Sequence, residues 1–143
     1  MNGIVERIRI FPAKGAAGLE LAEARLVENS GLEGDFHADG GDRQLSLLFA
    51  ESREVAGLEG EGLCLKRFKE NLCIRGLVSP DVKPGTRLSA GDAVLEITCE
   101  FKHCHEECTL YKKGKHCPLS GLNLFARVVK SGIIRVGASV QVM

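Results

Sequence analysis

Tryptophan is absent from this 143-residue chain, and tyrosine occurs once. A platform of exposed aromatics for stacking single-stranded bases is therefore not expected. Net charge is missing as well, because nineteen basic residues cancel nineteen acidic ones. Without bulk electrostatic attraction, a nucleic-acid partner is not expected. Long apolar runs are also lacking. None approaches the ~20 residues of a bilayer-crossing helix, so no membrane partner is expected. The N-terminal MNGIVERIRIF interrupts its apolar residues with charges and has no continuous signal-peptide core. The expectation is a cytoplasmic protein of one domain, residues 1–143, long enough to bury a real core.

Glycine, by contrast, is frequent at seventeen residues, and short apolar runs alternate with Gly, Pro, Asn and Asp. That punctuation predicts a mostly β fold with one or two short helices. Ile4, Ile8 and Ile10 are expected on one side of an N-terminal strand, with Arg7 and Arg9 on the other. Residues 24–27 and 72–74 read as short strands, and residues 44–48 as a buried one. Residues 51–57 are the best helix candidate. TRLSAGDAVLEIT (86–98) reads as a hairpin turning at residues 89–92. LFARVVKSGIIRVGASVQV (124–142) reads as a second hairpin turning at Ser131-Gly132, with a bend at Gly137. Closure into a barrel would protect the edges of such a sheet.

Six cysteines in a chain expected in a reducing compartment point to packing, metal binding or reactivity rather than to cross-links. Three of them, Cys64, Cys73 and Cys99, stand in apolar stretches and are expected to pack as small hydrophobes. The other three fall in FKHCHEECTLYKKGKHCPL (101–119), beside three histidines. A structural zinc site could draw on Cys104, Cys108 and Cys117 with His103, His105 or His116, but paired C-x2-C knuckles are absent. A thioredoxin-like motif is not formed either, since three residues separate Cys104 from Cys108. A ligating or reactive thiolate fits better. Lys102, Lys112, Lys113 and Lys115 favour a thiolate at Cys108, whereas Glu106 and Glu107 oppose it. Such a thiolate suits a sulfur-rich metal centre or a persulfide.

Three blocks, in order, resemble the MOSC domain found at the C-terminus of molybdenum cofactor sulfurases and as small stand-alone bacterial proteins. They are GLEGDFHADGGDRQLSLL (31–48), RFKENLCIRGL followed by GTRLSAGDAVLEIT (67–98), and the thiol-rich segment continuing to Val142. The resemblance implies a β-barrel-like fold and a site for the molybdenum cofactor, a molybdopterin dithiolene bearing a phosphate. It implies that Cys108 ligates molybdenum or carries sulfur, with Cys104, His105 and Cys117 as further metal-ligating candidates. Asp35, His37, Arg43 and Gln44 match the family's polar loop, Glu70 and Asn71 its E-N-L signature, and Arg127 and Lys130 its C-terminal segment. On this reading Arg43, Arg127 and Lys130 suit the phosphate, while Gln44 and Asn71 suit the pterin edge.

Sulfurases of this family draw sulfur from a pyridoxal-phosphate desulfurase domain, for which this chain has no room. Pyridoxal phosphate is therefore not expected here, and a separate sulfur-donor desulfurase or a molybdoenzyme is the implied partner. Reductase members work with flavin or haem partners. Two other functions remain open: a zinc-structured, non-catalytic interaction module, or a thiol-dependent enzyme acting on small electrophilic or N-hydroxylated substrates.

Overall fold

Strand β1 (Asn2–Ile10) has neighbours on both edges, and this closes the sheet on itself. The computed structural model describes residues 2–13, 15–36, 38, 41, 44–50, 70–77, 82–100 and 123–143, with backbone alone at 99, 100 and 123. These residues form β2 (Leu19–Leu21), β3 (Glu23–Val27), β4 (Gly31–Leu32), β5 (Leu45–Phe49) and β6 (Leu72–Arg75). They continue with β7 (Arg87–Ala90), β8 (Ala93–Glu100), β9 (Asn123–Lys130), β10 (Gly132–Arg135) and β11 (Ser139–Val142). Hydrogen-bonded neighbours run from β1 through β6, β5, β9, β8, β7 and β11 back to β1, a closed seven-strand barrel. The β5–β6 pair is parallel and the other barrel pairs are antiparallel. Closure satisfies the backbone groups that an open edge would expose.

Each barrel strand sends alternate side chains inward. Val5, Leu47, Ile74, Leu88, Leu95, Val128 and Val140 are all fully buried in one core. A second sheet, ordered β10-β3-β4, adds Leu26, Leu32 and Ile134 to that core. The expected strands at 24–27, 44–48 and 72–74 and the hairpin of β7 and β8 are present. Its two-residue turn is Gly91-Asp92, between the paired Ala90 and Ala93, and Gly91 takes the positive φ of 57° that a glycine-first turn requires. The helix expected at 51–57 lies outside the described residues. Among the described residues, no helix is long and apolar enough to cross a membrane.

Two expectations are corrected. The pairing of β1 with β6 shifts between Val5 and Arg7, so Glu6 is an extra, bulged residue. The bulge turns Val5 and Ile8 inward and leaves Ile4 exposed, rather than aligning Ile4, Ile8 and Ile10. The C-terminal segment is not a hairpin. β9 pairs with β5 and β8, whereas β10 leaves the barrel and pairs with β3. Gly132 permits that departure: a Cβ there would lie 2.6 Å from the Ala93 backbone nitrogen. The bend at Gly137 is present, at φ 92°.

Candidate functional site

Because Ile8, Leu72 and Leu47 face the core, the residues beside them in β1, β6 and β5 face outward. Arg9, Asn71 and Ser46 form one outward row, joined by Arg9 N–H to the Asn71 carbonyl and Asn71 N–H to the Ser46 carbonyl. Arg7, Cys73 and Leu48 form the next. Ser46, Leu48, Asn71 and Cys73 are nonetheless buried, so polar groups among them need partners within the protein.

Asn71 meets that demand completely. Its Oδ1 accepts hydrogen bonds from the Ser46 backbone N–H and hydroxyl, both at 3.0 Å. Its Nδ2 donates to the Arg9 carbonyl and to Asp35 Oδ1, both at 3.1 Å. Asp35 Oδ1 also accepts from Phe11 N–H at 2.8 Å, and Phe36 N–H donates to the Phe11 carbonyl. The start of the glycine-rich loop is thereby strapped to the end of β1 and to the β5–β6 junction.

Glu70, one residue earlier, is fully buried and accepts from two cations. Arg7 Nη2 donates to its Oε1, and Arg9 Nη2 to its Oε2 at 2.7 Å. The Arg9 guanidinium also lies over the Phe11 ring, 5.3 Å from its centroid. Burial opposes the charge on Arg7, but the Glu70 hydrogen bond and charge outweigh it and raise the arginine above its ordinary range. Gln44 does a different job. β5 and β9 stop pairing at Leu45–Ala126, and beyond that point Gln44 Oε1 accepts from Val128 N–H at 3.0 Å. Among the described residues its Nε2 has no acceptor.

Arg127 and Lys130 stand further round the barrel on β9. Arg127 donates to Glu96 Oε2 at 3.2 Å, as does Arg87 from the other side. Hydrogen bonding to Arg127 is the main cause that holds the Glu96 carboxyl below its usual pKa, against partial desolvation and with Arg87 assisting. Lys130 is exposed.

Of the residues predicted from sequence, Asp35 and Asn71 are in direct contact, and Gln44 lies two residues before Ser46. His37, Arg43, Cys104, His105, Cys108 and Cys117 lie outside the described residues. The attachment points of the thiol-rich segment are nevertheless fixed. Glu100 pairs with Leu124, and Asn123 stands opposite Leu48, two residues along β5 from Ser46. Cys73 is buried and forms no disulfide, as expected of a packing cysteine. No group of three or more metal-binding side chains occurs among the described residues. Sequence reading missed Ser46, Arg7 and Arg9 as parts of this face. Ser46 was signalled only as a hydroxyl inside the apolar run LSLLF, and the arginines resembled ordinary solvent-facing strand charges.

Three outcomes follow. Asn71→Ala takes one hydrogen-bond partner each from Ser46, Asp35 and the Arg9 carbonyl in a buried setting and is expected to cost on the order of 3 kcal/mol in urea denaturation. Asn71→Asp is expected to cost more, since it sets a carboxylate against Asp35. The depressed Glu96 pKa means that its ion pairs add stability above the ordinary carboxylate pKa of 4.5, and that this is lost as pH falls through the folded-state value. Melting temperatures of wild type and Glu96→Gln should therefore differ at pH 7 and converge in acid.

Residues 34–141 match the MOSC domain. YUAD protein from Bacillus subtilis has a similar structure, with TM-score 0.72 at 19% identity over 99% of this chain and 96% of that one. YiiM from Escherichia coli gives 0.64 at 20% identity, covering 100% and 70%, and YiiM from Geobacillus stearothermophilus gives 0.60 at 17%, covering 99% and 73%. At such identities the likeness concerns the fold. A search of curated proteins finds no match. With three quarters of its length inside the family match, and with the barrel shared by these structures, the chain belongs to the MOSC domain family, a domain known from molybdenum cofactor sulfurase.

Proposed function

We propose that this MOSC domain binds the molybdenum cofactor, or its molybdopterin precursor, on the outer face of the barrel. Cys108 ligates the metal or carries sulfur, in concert with a partner. The supporting observation is the position of the attachment points. The glycine-rich loop starts from Asp35, and the thiol-rich segment departs and returns at Glu100 and Asn123, close to the row of Ser46 and Asn71.

The chemistry of the residues fits the group. Molybdenum held by a dithiolene takes a further soft thiolate, which Cys108 offers, with Cys104, His105 and Cys117 as supporting donors. Gln44 keeps its Nε2 donors available for an acceptor on the pterin edge. The Asn71 amide is occupied on every polar atom, so its role is to hold the loop carrying His37 and Arg43. Arg43 and Lys130 are cations for the phosphate. Arg127 shares Glu96 with Arg87 and adds a positive charge between them. When bound, the cofactor supplies a sulfur-rich molybdenum centre. Sulfur would come from a separate desulfurase, or the loaded cofactor would pass to a molybdoenzyme, in the cytoplasm.

Protein purified from a host that makes the cofactor should contain molybdenum and a fluorescent pterin, and Cys108→Ser should lose most of both. Equal contents in the two proteins would remove Cys108 from the site. Stoichiometric zinc instead, with loss of loop structure on chelation, would support an interaction module.

A further inference from the structure

The outer side of the small sheet carries two charges of opposite sign that the chain leaves unpaired. Arg25 of β3 stands opposite Ile133 of β10 in the register, and both side chains are exposed. Asp92, in the β7–β8 turn, is exposed too and lines one open concavity with Ile133 and Val136. Neither the Arg25 guanidinium nor the Asp92 carboxylate has a hydrogen bond or ion pair among the described residues. The charges next to them are already matched, since Arg135 Nε donates to Glu23 Oε2 at 2.7 Å. Ile133, 37% exposed, therefore stands between a free cation and a free anion, with Val136, 47% exposed, in the same concavity.

We propose that two copies of this chain associate through this face about a two-fold axis passing near Ile133. The patch fits itself. Half a turn about Ile133 sets Asp92 of a second copy against Arg25, and Arg25 of that copy against Asp92. Two equivalent ion pairs then flank an apolar centre. One charge of each sign, with no excess, suits a second copy better than a uniformly acidic or basic partner, which either Arg25 or Asp92 would repel. Ile133 and Val136 lose exposure in the pair, while Ala24, Leu26 and Ile134 on the inward side remain in the barrel core. Asp92 immediately precedes β8, and the thiol-rich segment leaves from the other end of that eight-residue strand. The two sites are thus roughly 25 Å apart along the chain. Association leaves the thiol-rich segment free, and the interface does not depend on the cofactor reading.

Sedimentation velocity of the full-length chain over a concentration series tests the interface. A reversible monomer–dimer equilibrium is expected. Arg25→Glu and Asp92→Lys each set like charges opposite one another twice in the dimer, and each should weaken it about tenfold. The double variant Arg25→Glu/Asp92→Lys restores both pairs with their signs exchanged and should return to within about threefold of wild type. Ile133→Glu, an exposed change, should weaken the dimer at least about tenfold, and it decides the matter if Asp92→Lys does not fold. A chain that stays monomeric up to about 1 mM overturns the interface. So does a dimer indifferent to Ile133→Glu, or one whose single-charge variants are not rescued by the double variant.

Discussion

The Asn71 amide holds together three parts of the chain that are far apart in sequence. It joins β5 through Ser46, the end of β1 through the Arg9 carbonyl, and the glycine-rich loop through Asp35. Each of these groups would otherwise lose a partner in a setting away from water. In such a setting a missing partner costs more than a made bond contributes. The dependence therefore runs outward from one side chain: without it the β5–β6 junction, the strap at Asp35 and the exit of β1 lose their common reference.

Glu70 extends the same logic to charge. A carboxylate with no exposure is tolerable only when paired, and Arg7 and Arg9 pair it from alternate positions of β1. The Glu6 bulge precedes this pair and sets its facing, since it places Ile8 inward and the flanking arginines outward. One irregularity in β1 thus serves both the core and the polar face. On the other side Gln44 ties the start of β5 to Val128 of β9, completing a band of polar contacts around nearly half the barrel.

Local signals were legible in the sequence and distant pairings were not. The β7–β8 hairpin announced itself through alternation and a glycine turn, both properties of adjacent residues. Residues 44–48 likewise read as a buried strand, which forms at Leu45–Phe49. The partner of β10 could not be read, because β3 lies roughly a hundred residues away in sequence. The bulge at Glu6 was equally hidden, as it depends on what β6 requires. In the site, the resemblance marked Asp35, Gln44 and Asn71, whereas Ser46, Arg7 and Arg9 took their meaning only from three-dimensional neighbours. Charges alternating along a strand look alike whether they face water or a buried glutamate.

These constraints describe a rigid frame around which the variable chemistry of a MOSC domain is arranged, with the attachment points of the thiol-rich segment set into it. The central claim is that this segment delivers the Cys108 sulfur to molybdenum or to the sulfur bound there. X-ray absorption at the molybdenum edge of cofactor-loaded protein tests it most directly. The account predicts a sulfur contribution beyond the dithiolene in wild type that is lost in Cys108→Ser reloaded with cofactor. Identical sulfur shells in the two proteins would contradict it.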